Sequence, residues 1–366
     1  MSATDTDRTA GRREDFSGLV GVVVIGRNEG ERLRRCLSAS GIEDLTTIYV
    51  DSGSTDGSLD LATSLGAHAI ALTPDRPFTA ARGRNAGIAY LADNFPNLTY
   101  VQLLDGDTEI DPDFIRSAVQ EIESDQTIGA VSGRLRERSR GTSKYNRLCD
   151  MEWNHQPGDA DAFSGNVLLR VTTWLDTGGY DESLIAGEDP ELSLRVRRKG
   201  WRIRAIDAPM GLHDADMHTF SQWWTRTTRT GHAFAEGADM HKAAGHYRKE
   251  VRSIGFWAGL LPSLIALSAI AGFKNRFAWL GVGALAVYPL QWWRIRGHRI
   301  AVNDSVDDAE LYATHVMIGK FAELRGVLQY RMNKKLGKRQ GLVEYRSLDS
   351  SSNSRRSNGQ TDPRVR

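Results

Sequence analysis

The 366-residue chain is 40% hydrophobic and 25% charged, and its 47 basic residues against 46 acidic ones leave a formal net charge of +1. That length accommodates one large domain or two ordinary ones, and the charge balance removes any general electrostatic case for a nucleic-acid partner. Cys36 and Cys149 lie far apart with no His or Cys at metal-ligand spacing, which excludes a disulfide framework and a zinc site and fits a reducing, cytoplasmic environment.

Residues 1–16 are polar and rich in Thr, Asp and Arg, and read as a loose tail rather than a secretory signal. Residues 18–25 form a β-branched run ending in Gly26-Arg27-Asn28-Glu29-Gly30, the pattern of a buried parallel strand entering a loop. Over residues 31–40, Leu33, Cys36 and Leu37 fall at i, i+3 and i+4 with arginines on the other side, which predicts a helix. The cycle repeats with a strand over 47–50, the turn Asp51-Ser52-Gly53-Ser54-Thr55-Asp56-Gly57, and a helix from Ser58. A strand over 67–72, a helix over 80–91 and a strand over 98–104 follow. This alternation predicts right-handed βαβ crossovers and an α/β, Rossmann-like fold: a mostly parallel sheet with helices on both faces.

Such sheets bind ligands beyond the carboxyl ends of their strands. Three acidic loops fall there: Asn28-Glu29, Asp51 and Asp105-Gly106-Asp107. Asp105 and Asp107, one residue apart at a strand end, can aim at the same sheet edge and jointly hold a divalent cation against a diphosphate. Each loop also has a plainer reading. Asp-Gly-Asp is an ordinary turn, Asp51 and Asp56 suit Asx turns or helix N-caps, and Glu29 suits a first helical turn.

Further along, residues 253–273 make 21 positions without a formal charge and residues 277–293 another 17, with Lys274 and Arg276 between them. The pair predicts a transmembrane or re-entrant helical hairpin over 253–293, with positives at both outer ends favouring the cytoplasmic side for both flanks. Tyr288, Trp292 and Trp293 are placed like an interfacial belt; a buried helical pair in a soluble domain is the alternative. An amphipathic basic helix is expected over 304–340, with Leu311, Val316, Ile318, Phe321, Leu324 and Leu328 apolar and a Lys/Arg-rich end suited to anionic headgroups. Residues 347–366, rich in Ser, Asn and Arg, are expected to be disordered.

Asp105-Gly106-Asp107, together with Asn28-Glu29, Asp51 to Asp56 and Arg84-Asn85-Ala86-Gly87, resembles the inverting family 2 glycosyltransferases of GT-A fold. The resemblance continues through Phe163-Ser164-Gly165-Asn166, Gly178-Gly179-Tyr180-Asp181-Glu182, Gly187-Glu188-Asp189-Pro190-Glu191-Leu192 and residues 195–200. It covers roughly residues 20–235, so that 17–240 is the expected catalytic domain, with membrane-associated helices C-terminal to it.

That resemblance implies a nucleotide-sugar donor, a UDP- or GDP-sugar, and Mn²⁺ or Mg²⁺ held by Asp107 and Asp105 as a Lewis acid for the diphosphate leaving group. It places Asn28, Glu29, Asp51, Arg84, Asn85 and Asp105 around the nucleotide sugar, with Arg84 suited to a two-pronged contact with phosphate. Asp189 aligns with the general base and Glu188 is the runner-up; the same residues suit the first turn of a helix. His213 falls where metal-dependent members bring a late histidine to the metal, with His218 competing for the role. Gly165, Asn166, Trp223, Trp224 and Arg226 are expected on the acceptor side, and Trp153 and Trp174 either stack on sugars or belong to the core. Ile25, Arg27 and Ser52 depart from the family pattern and leave the base open. The order Gln222-Trp223-Trp224-Thr225-Arg226 differs from that of processive synthases and implies transfer of a single sugar. The expected acceptor is lipid-linked or a growing surface glycan in polysaccharide biosynthesis, at the inner membrane with the catalytic domain cytoplasmic. A sugar nucleotidyltransferase would want a glycine-rich, basic phosphate loop after the first strand, where this chain has an acid. A non-catalytic membrane scaffold would not need Asp105, Asp107 and Asp189 together.

Overall fold

The computed structural model describes residues 16–154, 156–274 and 276–338; the predicted tails at 1–15 and 347–366 and the end of the basic segment lie outside the described residues. The strands are β1 (Val20–Gly26), β2 (Thr46–Asp51), β3 (His68–Ala71), β4 (Tyr100–Asp105), β5 (Thr108–Ile110), β6 (Ile128–Glu137), β7 (Gly158–Asp159), β8 (Val167–Arg170) and β9 (Arg202–His213). They form one nine-stranded sheet in the order β3-β2-β1-β4-β8-β6-β9-β5, with β7 paired to β9. β3, β2, β1 and β4 are mutually parallel, as are β6 and β9, whereas β8 runs against β4 and β6 and β5 runs against β9. The α/β sheet is therefore mostly parallel, with antiparallel members at the places where the chain doubles back.

The helices are α1 (Glu31–Leu37), α2 (Ser58–Ser64), α3 (Ala80–Asn94), α4 (Phe114–Ser124), α5 (Lys144–Trp153), α6 (Val171–Thr177), α7 (Glu188–Arg198), α8 (Phe220–Met240), α9 (Arg248–Ile254), α10 (Leu261–Gly272), α11 (Val287–Ala301) and α12 (Val306–Lys335). Because side chains alternate along a strand, β1 feeds both faces of the sheet. Val20, Val22 and Val24 pack with Leu33, Tyr49, Tyr100 and Phe114, while Val23 and Ile25 pack with Ile48, Ile88, Leu103 and Val196. Both faces are covered, so β1 needs apolar residues at every position. On the second face α3 lies directly on the strand: a Cβ on Gly87 would come within 2.4 Å of Val23 Cγ1.

After α8 the chain forms one continuous helix, Arg248–Gly272, with a π segment at Gly255–Leu260. Among the described residues it is the one helix long and apolar enough to cross a membrane, and only 17% of its apolar window is buried. The second uncharged run does not continue as an α-helix; it is a 3₁₀ stretch, Arg276–Ala286, leading into α11, which becomes basic at Arg294, Arg296 and Arg299.

α12 is N-capped by Ser305, whose hydroxyl accepts from Asp308 N. Its packing splits the expected apolar set: Leu311 and Leu324 pack inward against core clusters. Ile318, Phe321 and Leu328 are exposed, while Ala309, Ala313, Gly319, Ala322 and Gly326 are buried or line the contact with α8. Small residues are required because the two backbones nearly touch: a Cβ on Gly326 would lie 2.0 Å from Thr228 O, and one on Gly231 would lie 2.1 Å from Glu323 O. The helix expected to rest on headgroups thus packs one side against α8, with Leu311, Leu324 and Val327 on that side, and turns Ile318, Phe321 and Leu328 outward.

Candidate active site

The turn after β4 carries Asp105-Gly106-Asp107 directly into β5, and β5 pairs with β9 so that Thr108 faces His213. That register brings His213 beside Asp107, with Nε2 3.3 Å from Oδ1. One ligand atom from each of Asp105, Asp107 and His213 lies within 4.8 Å of the others. Asn166, buried, accepts from Asp105 N at 3.0 Å and fixes the end of β4. His218 does not join the group; its ring contacts Asp216 at 2.9 Å and its side chain is about half exposed. Two carboxylates and one imidazole suit a divalent ion that accepts both oxygen and nitrogen, Mn²⁺ better than Mg²⁺, with coordination left for diphosphate and water.

Behind Asp105 lies a buried arginine. Arg84, on α3, is 4% exposed and donates from Nη2 to Asp105 Oδ1 at 2.8 Å and from Nη1 to Glu188 Oε1 at 2.9 Å, with Asp189 Oδ1 3.3 Å from Nη1. Its guanidinium also lies over the Tyr180 ring, 5.6 Å from the centroid. Gly165 makes this possible: a Cβ there would fall 2.2 Å from Arg84 Nη2 and 2.7 Å from Asp105 Oδ2. Both terminal nitrogens of Arg84 thus serve carboxylates of the chain itself. Although burial alone would lower it, the surrounding Asp189 and Asp105 hold the Arg84 pKa well above its ordinary value. The Asp189 carboxyl is raised as well, which for an acid disfavours the charged form. Burial, resisted by Arg84 and reinforced by Glu188 and Asp105, pushes its carboxyl up to about 8. Glu188 and Asp189 open α7 after Gly187, which is left-handed at φ 84°. Ser193 Oγ donates to Asp189 O at 2.7 Å and anchors that first turn.

The loops after β1 and β2 are knitted together. Asp51 accepts from Gly53 N at 2.9 Å, Ser54 N at 2.8 Å and the Tyr49 hydroxyl at 3.0 Å, and is itself buried, so it organises its own turn. Asn28 accepts from Thr55 N at 2.8 Å and donates its backbone N–H to Ser54 Oγ, while Asp56 accepts from Gly30 N and from Ser58 N at the start of α2. Glu29 pairs with Arg32 at 2.8 Å. Arg32 also reaches Asp216, and Arg35 reaches Asp214 at 2.9 Å. Those two arginines tie the segment after His213 to α1, a role that a surface-helix reading of α1 does not reveal.

Asn85 uses its amide on the turn before α7, accepting from Tyr180 N and Trp174 Nε1 and donating to Tyr180 O and Glu182 Oε1. Trp174 is thereby a packing residue of this turn. Among the acceptor-side candidates, Trp223 is 4% exposed within an aromatic cluster with Tyr145, Phe220 and His315, so it is core. Trp224 packs edge-on beside it, and Arg226 donates to Glu152 at 2.7 Å. Trp153, also considered for sugar stacking, lies against His213 instead, with ring centroids 4.3 Å apart.

The pattern described as glycosyl transferase family 2 matches residues 21–174, and that of glycosyl transferase family group 2 matches residues 100–295, more than half of the chain. No curated protein matches it. Among solved structures it is similar to the mannosyltransferase PcManGT from Pyrobaculum calidifontis in complex with GDP-Man and Mn²⁺, at 17% identity over 86% of this chain and 87% of that one, with a TM-score of 0.52. S. aureus TarS 1–349 is also similar, at 14% identity over 86% and 92% of the two chains and a TM-score of 0.45. With the family patterns spanning the sheet, the acidic turn after β4 and the opening of α7, the chain belongs to family 2 of the glycosyltransferases and has their GT-A fold.

Proposed function

We propose that the enzyme transfers one sugar from a nucleotide-sugar donor to an acceptor hydroxyl with inversion at the anomeric carbon. The observation that carries this reading is the Arg84 bridge, which puts the carboxylate turn after β4 and the acid pair of α7 on one guanidinium. Asp105, Asp107 and His213 would hold Mn²⁺ or Mg²⁺, which supplies Lewis-acid stabilisation of the departing diphosphate. Asp189 would remove the acceptor hydroxyl's proton as that oxygen attacks opposite the leaving group, with Glu188 as its paired acid. Asn28, Glu29 and the Asp51 turn form the loop edge suited to the nucleoside. A GDP-sugar or a UDP-sugar meets these requirements, and the fold neighbour in complex with GDP-Man and Mn²⁺ supports that donor class and ion.

The test is a donor screen with purified protein and Mn²⁺ or Mg²⁺, scoring nucleoside diphosphate release. We expect turnover with one donor, its arrest by chelation, and a loss of about 100-fold for Asp107→Ala. A rate indifferent to chelator removes the metal from the reading.

The acceptor is proposed to be a lipid-linked or surface-glycan saccharide, reached at the cytoplasmic face of the inner membrane. The exposed apolar helix 248–272 and the outward Ile318, Phe321 and Leu328 of α12 support membrane attachment. The protein should remain in the membrane pellet after alkaline carbonate extraction. Release into the supernatant would leave the sugar chemistry standing and discard the membrane.

A further inference from the structure

Trp153 is the last residue of α5, and its indole lies 4.3 Å from the His213 ring, centroid to centroid, at 51°. The end of α5 is held on several sides. One turn earlier Asp150 accepts from Arg136 at 2.7 and 2.8 Å, from Arg140 at 2.9 Å and from Glu137 N at 3.0 Å. Glu152 accepts from Arg226 of α8. Asp308, at the start of α12, accepts from Arg147 at 3.0 Å and from Arg140 at 2.6 Å. Trp153 therefore sits on a platform braced by β6, α8 and α12. Trp153 itself packs against buried residues of two core clusters, and its ring ends on the histidine that faces Asp107.

A ligating imidazole is aimed by whatever touches the rest of its ring, and losing that support typically weakens metal binding although no ligand has been removed. A tilted indole in contact with the ring limits its rotation and covers that side, while leaving Nε2 directed at Asp107. We infer that Trp153 is a positioning residue for the cation site, holding the His213 imidazole in ligand orientation through ring contact. The inference rests on reading Asp105, Asp107 and His213 as a cation site and adds the residue that sets the site's geometry. It also links the C-terminal helices to the catalytic centre, because α12 braces α5 through Asp308.

The test uses Mn²⁺ alone with the full chain, reading free Mn²⁺ by electron paramagnetic resonance and protein emission by fluorescence. Trp153→Ala should weaken Mn²⁺ binding about tenfold or more, and Trp153→Phe, which keeps a ring against His213, should restore most of it. Paramagnetic Mn²⁺ one imidazole away should quench Trp153, so part of the quench seen in wild type should be missing from Trp153→Phe. That second reading tests, even where the alanine variant does not fold, the closeness to the ion that the role requires, and the affinity of Trp153→Phe against wild type then reads the positioning. Wild-type Mn²⁺ affinity in a folded Trp153→Ala, or an undiminished quench in Trp153→Phe, overturns the role of Trp153 and leaves the cation site intact. Absence of Mn²⁺ binding by the wild-type chain overturns both.

Discussion

Asp189→Asn is expected to cut sugar transfer by about 10³-fold while leaving Mn²⁺ binding in place, because a carboxamide keeps the shape of the side chain and cannot accept the acceptor's proton. The wild-type pH profile supplies the signature. Burial, with Glu188 and Asp105 adding to it against the pull of Arg84, raises the Asp189 carboxyl to about 8, so in the free enzyme the base is largely protonated at neutral pH. Since kcat/KM reports free-enzyme ionisations, it should rise with pH along this raised carboxyl limb, and a cation at the neighbouring carboxylates, which favours the ionised form, should draw the limb below about 8 at saturating Mn²⁺. Stability runs in the opposite sense. A carboxyl ionised in the unfolded chain above about pH 4 but protonated in the native one up to about 8 makes the protein lose stability as pH rises between those values. Asp189→Asn removes that loss, so the variant should gain Tm over wild type at pH 8 and converge with it near pH 4. A flat wild-type kcat/KM profile from pH 6 to 9, or an Asp189→Asn enzyme of normal rate, would move the base elsewhere, first to Glu188.

The parallel half of the sheet was readable because strands buried on both faces leave continuous apolar runs, and the expected β1 to β4 differ from the observed ones by two residues or fewer at most ends. β8 and β5 were not. At four and three residues they are too short to leave a period, and strand direction leaves no mark on hydrophobicity. The grouping of Asp105, Asp107 and His213 followed from the resemblance, and its physical cause, the Thr108–His213 register, exists only in the folded sheet. Asp51 could be read as a turn-former or as a nucleoside contact; its three internal hydrogen bonds show the first role. Large apolar residues fall on both faces of α12, Leu311, Leu324 and Val327 inward and Ile318, Phe321 and Leu328 outward, because alanine and glycine occupy the closest approach to α8. Trp223 shows the same limit: an exposed binding tryptophan and a core tryptophan look alike until their neighbours are known.

The partners of Arg84 were the least legible part of the site. Asp105 is 21 residues away and Glu188 is 104, so no local pattern connects them. Substituting Arg84 is expected to have the second large effect. Arg84→Gln leaves Asp105, Glu188 and Asp189 facing one another with no counter-charge, and breaking a buried ion pair from one side costs about 3–5 kcal/mol. The cost should be largest at alkaline pH, where the carboxyls ionise, and should shrink as acid neutralises them. Arg84 also favours the ionised form of Asp189, so its removal should move the kcat/KM limb to higher pH. Arg84→Lys keeps the charge but presents one ammonium where a planar fork serves three carboxylates, and misplacement of the base should cost about 100-fold in kcat/KM. The double variant Arg84→Gln with Asp105→Asn removes one of the stranded carboxylates. It should regain part of the lost stability without regaining transfer, a non-additivity expected of groups in direct contact. If Arg84→Gln instead melts with wild type at pH 8 and keeps its pH profile, the guanidinium does not couple the turn after β4 to the start of α7, and the proposed site must be held together by other residues.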